Sequence, residues 1–177
     1  FHGRTVEIDL GAAGTAWNMA TLDYWLAEKL SPECRRLIAS ELERRIFTPF
    51  EQAVNTGNPR LWWITGTNNW NAVCLAGVVG AALEGIPSPE RRGFFVAAGE
   101  KYIQYFLRGF TPDGYCSEGI GYWNYGFGHF TLLGETLYQA TKGQLDFFAL
   151  PGVQQIALFG FRMEMAPGIY PAFADCS

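Results

Sequence analysis

Ten residues, Trp62-Trp63-Ile64-Thr65-Gly66-Thr67-Asn68-Asn69-Trp70-Asn71, set three asparagines and two threonines among three tryptophans. Carboxamides donate and accept hydrogen bonds without carrying charge. Indole rings offer a flat apolar area that stacks on a sugar face. The segment stands at the mouth of the most apolar helix that the sequence predicts. Asn and Thr cap helix starts well, but one cap needs only one of them. The N-terminus of a helix also carries partial positive charge, a natural seat for a carboxylate. The segment therefore reads either as a cap or as a polar binding corner.

A second stretch, from Thr111-Pro112-Asp113-Gly114-Tyr115-Cys116-Ser117-Glu118 through Gly119-Ile120-Gly121-Tyr122-Trp123-Asn124-Tyr125-Gly126-Phe127-Gly128-His129, holds five glycines. They let the backbone approach a neighbour closely. Pro112-Asp113-Gly114 alone is an ordinary turn. A helix beginning near Tyr122 would set Tyr122, Tyr125 and His129 on one face, at i, i+3 and i+7. A phenol can protonate a leaving group unaided, and can act as a base only where neighbours stabilise phenolate. A buried ring with a hydrogen-bonded hydroxyl is the simpler reading of any one tyrosine.

The elements that must position these residues are helices nearly throughout. Residues 12–30 carry Ala13, Trp17, Ala20 and Tyr24 at helical spacing. Ser31-Pro32-Glu33 opens a second helix, whose apolar face is Cys34, Leu37, Ile38, Leu42, Ile46 and Phe50. Residues 55–60 form a loop. A third helix over 68–83 is apolar on nearly all sides and belongs in the interior, with Gly77 and Gly80 permitting close helix contact. Ser88-Pro89-Glu90 repeats the start signal for a fourth helix that turns Phe95, Ala98, Tyr102, Ile103 and Phe106 inward. A fifth helix is predicted over 122–141 and a sixth over 152–165. The fold class is thus all-α: about three helical hairpins without heptads, an incomplete α/α toroid over residues 1–168. The tail, 169–177, is expected to be extended. Three hairpins make about half a ring, and the chain opens at Phe1 without a Met, so a piece of a larger enzyme is expected.

Composition narrows the partners. With 49% apolar and only 17% charged residues, the chain must bury much of its surface or offer it to a further segment. Aromatics at 16% read mainly as core, and secondarily as a groove for sugar rings. A net charge of −4 argues against nucleic acid. The pairs Arg35-Arg36, Arg44-Arg45 and Arg91-Arg92 stand beside acids, as on solvated helix faces. An anionic polysaccharide could still bind locally. Residues 61–83 lack charge, but the apolar part after Asn71 is too short to cross a bilayer, so no membrane insertion is expected. Cys34, Cys74, Cys116 and Cys176 show neither CxxC nor metal spacing, and no metal or other cofactor is expected.

Taken together, Pro112-Asp113-Gly114, Glu118-Gly119, Gly121-Tyr122-Trp123 and Tyr125-Gly126, with Asn68-Asn69 upstream, resemble the heparinase II/III-like polysaccharide lyases, which include alginate lyases. The resemblance runs from about Trp62 onward. It implies β-elimination at a uronic acid: an amide neutralises the substrate carboxylate, and a tyrosine, often with a histidine, handles the proton and protonates the leaving oxygen. By position, Asn69 would hold the carboxylate with Asn68 beside it, and Tyr122 would be the acid or acid/base, with Tyr125 as the alternative. Trp63, Trp70, Glu118, Trp123 and His129 would help bind the sugar. Tyr170-Pro171-Ala172-Phe173-Ala174-Asp175-Cys176 looks like the passage into that family's β-sandwich domain, a partner expected beyond this chain. A periplasmic or secreted location is implied as well.

The sequence also departs from that family. Where many relatives carry a histidine beside the Asn, this chain has Trp70 and Asn71. His2 is terminal, and His129 matches no family position. A glycoside hydrolase on an α/α toroid, with Asp113 and Glu118 as its carboxylate pair, is the nearest rival. A non-catalytic sugar-binding scaffold is the third reading.

Overall fold

The computed structural model describes residues 8–57 and 59–174, and every regular element among them is helical. Helix α1 (Leu10–Leu26) begins at Asp9, whose carboxylate accepts the Ala12 N–H at 2.7 Å. Helix α2 (Pro32–Leu42) starts as predicted: Ser31 accepts the Cys34 N–H, Pro32 fills the first position and Glu33 stands in the first turn. A wide π turn, Glu43–Phe47, carries α2 into α3 (Thr48–Thr56). Pro49 has no N–H to return to the preceding turn, which explains a widened ladder directly before it. Gly57, at φ 66°, ends α3.

A tight 3₁₀ stretch, Pro59–Thr65, leads into α4 (Asn69–Gly85). Helix α5 (Pro89–Leu107) repeats the Ser-Pro-Glu start, with Ser88 accepting the Arg91 N–H. Helix α6 (Ile120–Ala140) follows the glycine-bearing loop. Two five-residue helices, α7 (Val153–Ala157) and α8 (Phe159–Met163), complete the order.

Helix α4 is the hub, packed against α1, α5 and α6. Every residue from 71 to 79 is buried, so it has no solvent face there. Its glycines make the approach feasible: a Cβ on Gly77 would stand 2.3 Å from the Ala13 carbonyl oxygen, and one on Gly80 1.9 Å from the Trp17 ring. The predicted inward face of α5 is buried in full. Around it Phe50 stacks between Trp63 and Phe95, and Phe130 stacks on Phe106, Phe127 and Phe147. These stacked rings form the centre of the core, while others, Trp25, Trp62 and Phe161 among them, lie exposed. Arg91 clamps α5 to the π turn and α3, reaching Glu43 and Glu51 at 2.7 Å each.

Several expectations need correction. Tyr24 is 66% exposed and Leu37 61%, so the inward faces of α1 and α2 are narrower than their spacing suggested. The single sixth helix is two short ones. The Trp123 indole donates to the Ile156 carbonyl at 2.8 Å, at the point where the helix breaks. The tail forms one isolated bridge, Ala166 with Ile169, and no strand among its described residues. Phe173 folds back to stack on Tyr115. His2 and Cys176 lie outside the described residues. Cys34, Cys74 and Cys116 are free thiols. No helix among the described residues is long and apolar enough to cross a membrane.

Candidate functional site

The first polar segment is held in place from below. Trp63 is 1% exposed, donates its indole N–H to the Ile8 carbonyl at 2.7 Å and stacks on Phe50. A ring so placed cannot stack on a sugar, which removes Trp63 from the binding set. Asn71, fully buried, donates to the carbonyls of Trp63 and Ile64 at 3.0 and 2.9 Å and so pins the turn to its own helix. Asn68 takes the extended N-cap conformation at the head of α4, but its side chain accepts no helix N–H. Capping is therefore not what its carboxamide does.

The cap comes from the second segment instead. Glu118 accepts the Asn69 backbone N–H at 3.2 Å and the Asn69 Nδ2 at 2.9 Å. A carboxylate at the positive end of a 17-residue helix is well placed. The seat that sequence reasoning reserved for a substrate carboxylate is occupied by the chain's own Glu118. That is a correction to the first role given to Asn69.

The loop that delivers Glu118 is built around its glycines and an internal turn. The Thr111 hydroxyl donates to Asp113, and the Tyr115 N–H donates to the Thr111 hydroxyl at 3.1 Å. The Thr111 hydroxyl first, then the Tyr115 N–H, which also donates to Asp113 Oδ1 at 3.4 Å, hold the Asp113 carboxyl below its usual range. Gly114, at φ 88°, lies against the Gln155 carbonyl, where a side chain has no room. Gly119, at φ 93°, then turns the chain into α6. At the helix start, Gly126 meets Asn69 so closely that a Cβ there would stand 3.0 Å from the Asn69 Cβ.

Between the two segments lies a hollow of about 130 Å³, lined by Thr67, Asn68, Phe106, Gly109, Phe110, Cys116, Ser117, Glu118 and Tyr122. Three of the nine residues singled out from sequence, Asn68, Glu118 and Tyr122, share it, and Asn69 stands one hydrogen bond behind. Tyr125 does not line it. Tyr125 is 39% exposed, its ring meets the His129 ring edge-on at 4.8 Å, and burial comes first among the causes that push its phenol upward. His129 Nδ1 donates to the Tyr125 carbonyl oxygen at 2.8 Å.

Trp123 belongs to packing: its ring covers Gly160, Phe127 and Phe159. Trp70 is half-buried and pairs with Trp62, ring centroids 5.2 Å apart. Trp62, 49% exposed, presents the surface that had been expected of Trp63. The exposure of Trp62 and the Phe106 and Phe110 walls had no signature in the sequence. Asp113 does not line the hollow with Glu118, so the proposed hydrolase pair does not form there. The two apolar walls and the partly buried carboxylate make the hollow a place where hydrogen bonds count for more than in water.

No family model matches this chain, and no curated protein matches it.

Proposed function

We propose that the chain is the helical part of a carbohydrate-active protein, a polysaccharide lyase that cleaves a uronic-acid polymer by β-elimination. The observation that carries this reading is the meeting of Asn68 and Tyr122 in one hollow, although they come from separate segments. In this reading a base elsewhere in the full-length protein takes the C5 proton, the C4–O bond breaks as the C4=C5 double bond forms, and the Tyr122 phenol protonates the departing glycosidic oxygen as general acid. Among the described residues no lining side chain is cationic, so an N–H donor must stabilise charge that develops on the uronate, and Asn68 carries the carboxamide that lines the hollow. Each well-aimed donor to developing enolate charge is worth about 3–4 kcal/mol in a preorganised site. The family resemblance also makes these helices part of an α/α toroid, continued by a β-sandwich domain in a periplasmic or secreted enzyme.

One observation favours a second reading, a sugar-binding domain without catalysis: Glu118 already fills the carboxylate seat at Asn69. A single assay on the full-length protein separates the two. Incubation with alginate, heparan sulfate and related uronides, followed by near-ultraviolet absorbance, detects the conjugated unsaturated product of elimination. Rising absorbance supports the lyase. Saccharide binding with no absorbance change and no new reducing ends supports the binding domain, and new reducing ends alone would indicate hydrolysis.

A further inference from the structure

The acceptors in the hollow outnumber what the fold uses. Glu118 meets Asn69 with both oxygens, and each carboxylate oxygen can accept more than one hydrogen bond. Among the described residues no donor meets the buried Asn68 Oδ1, and the Asn69 Oδ1, on a residue 2% exposed, is in the same condition. Buried acceptors of this kind are costly unless a partner supplies a proton. Among the described residues no Lys, Arg or His lines the hollow. A second carboxylate entering it would face Glu118 at close range with nothing to neutralise either group, in partly buried surroundings where like charges repel more than in water. The volume, about 130 Å³, corresponds to a few water molecules and not to a whole sugar ring.

We infer that the hollow is a subsite for the hydroxyl-bearing edge of a sugar ring, read by Glu118 as acceptor and by the Asn68 carboxamide, and that the uronate carboxylate stays outside it. This rests on the carbohydrate reading above and names which part of the sugar enters. In a uronic acid the 2,3-diol lies on the edge opposite the C5 carboxylate, so one ring can offer two O–H donors inward while its charge remains at the rim in water. Phe106 and Phe110 supply the apolar wall against which the ring's C–H edge rests. A carboxamide that meets a hydrated carboxylate at the rim adds little to ground-state binding and acts on the charge that grows during reaction. Binding and charge stabilisation thus fall to different atoms of the same ligand.

The test is calorimetric, on the full-length protein carrying Tyr122→Phe, which keeps the ring in the hollow and prevents turnover. The probes are a uronate trisaccharide from alginate, its carboxyl-reduced counterpart, and its 2,3-di-O-methyl derivative. The expected result is that the first two bind within about threefold of each other and the methylated one at least tenfold more weakly. Adding Asn68→Ala should weaken the first two at least tenfold and leave the third unchanged. Since Asn68 makes no cap hydrogen bond, this variant should fold, and circular dichroism checks it. Carboxyl-reduced sugar binding tenfold or more weakly than the acid would overturn the inference while leaving the carbohydrate reading intact. Binding of none of the three sugars would remove both. Elimination activity, read separately by absorbance, decides the lyase assignment on its own.

Discussion

Glu118 holds Asn69 at two points, backbone and side chain, across 49 residues of intervening chain. One carboxylate thereby caps α4, anchors the glycine-bearing loop and sets the back of the hollow. The local N-cap residue, Asn68, is left facing the hollow instead.

That relationship can be measured as stability. Glu118→Ala strands two buried donors of Asn69 and strips the helix of its anionic cap, a loss of about 2–3 kcal/mol. In a chain of this size the thermal midpoint should fall by about 5–10 °C. Asn68→Ala should cost less than about 0.5 kcal/mol, since no cap bond is lost. Equal losses for the two variants would mean that Glu118 does not cap α4.

The glycines of α4 and α1 should respond in opposite directions. Gly77→Ala places a methyl 2.3 Å from backbone oxygen, which cannot swing aside, so α1 must move off α4 at a cost of about 3 kcal/mol or more. Gly14 has nothing within 4 Å of its would-be Cβ and sits inside a helix. Gly14→Ala should stabilise by about 0.5–1 kcal/mol. Urea unfolding of both variants checks the pair.

Acid should loosen the clamp between α5 and the π turn. The Arg91 guanidinium, then the Thr48 hydroxyl, hold the Glu43 carboxyl below its ordinary 4.5. A folded-state value below the unfolded one gives stability that is present above pH 4.5 and lost as pH falls through the folded value. Both partners are partly exposed, so solvent screens the pair and its share is modest, about 1 kcal/mol. Arg91→Met should lower the urea midpoint at pH 7 and flatten its decline between pH 5 and pH 3, to about the extent of that share. An unchanged slope would show that the clamp contributes nothing.

Much of this fold is legible in local sequence because the signals are local. The Ser31 and Ser88 caps act within three residues, and the burial of α4 follows from its lack of any polar stripe. The same locality explains the misses. At the break between α7 and α8 the Ile156 carbonyl accepts from the Trp123 indole, 33 residues away. Asn68 looks like a cap in sequence and is relieved of that task by a glutamate far along the chain. Trp62 and Trp63 are indistinguishable as letters, and only packing against Phe50 decides which one is buried. The candidate site was legible as two segments, while its internal arrangement depended on long-range pairing.

The central claim is that Tyr122, inside the hollow, is the proton donor, and that Tyr125, outside it, is not. The most direct measurement compares Tyr122→Phe and Tyr125→Phe in the full-length protein for formation of unsaturated uronide by near-ultraviolet absorbance. The account predicts a loss of at least about 10²-fold in kcat for Tyr122→Phe with KM little changed. Tyr125→Phe should stay within about threefold of the parent protein. Full activity in Tyr122→Phe, or loss confined to Tyr125→Phe, would contradict it.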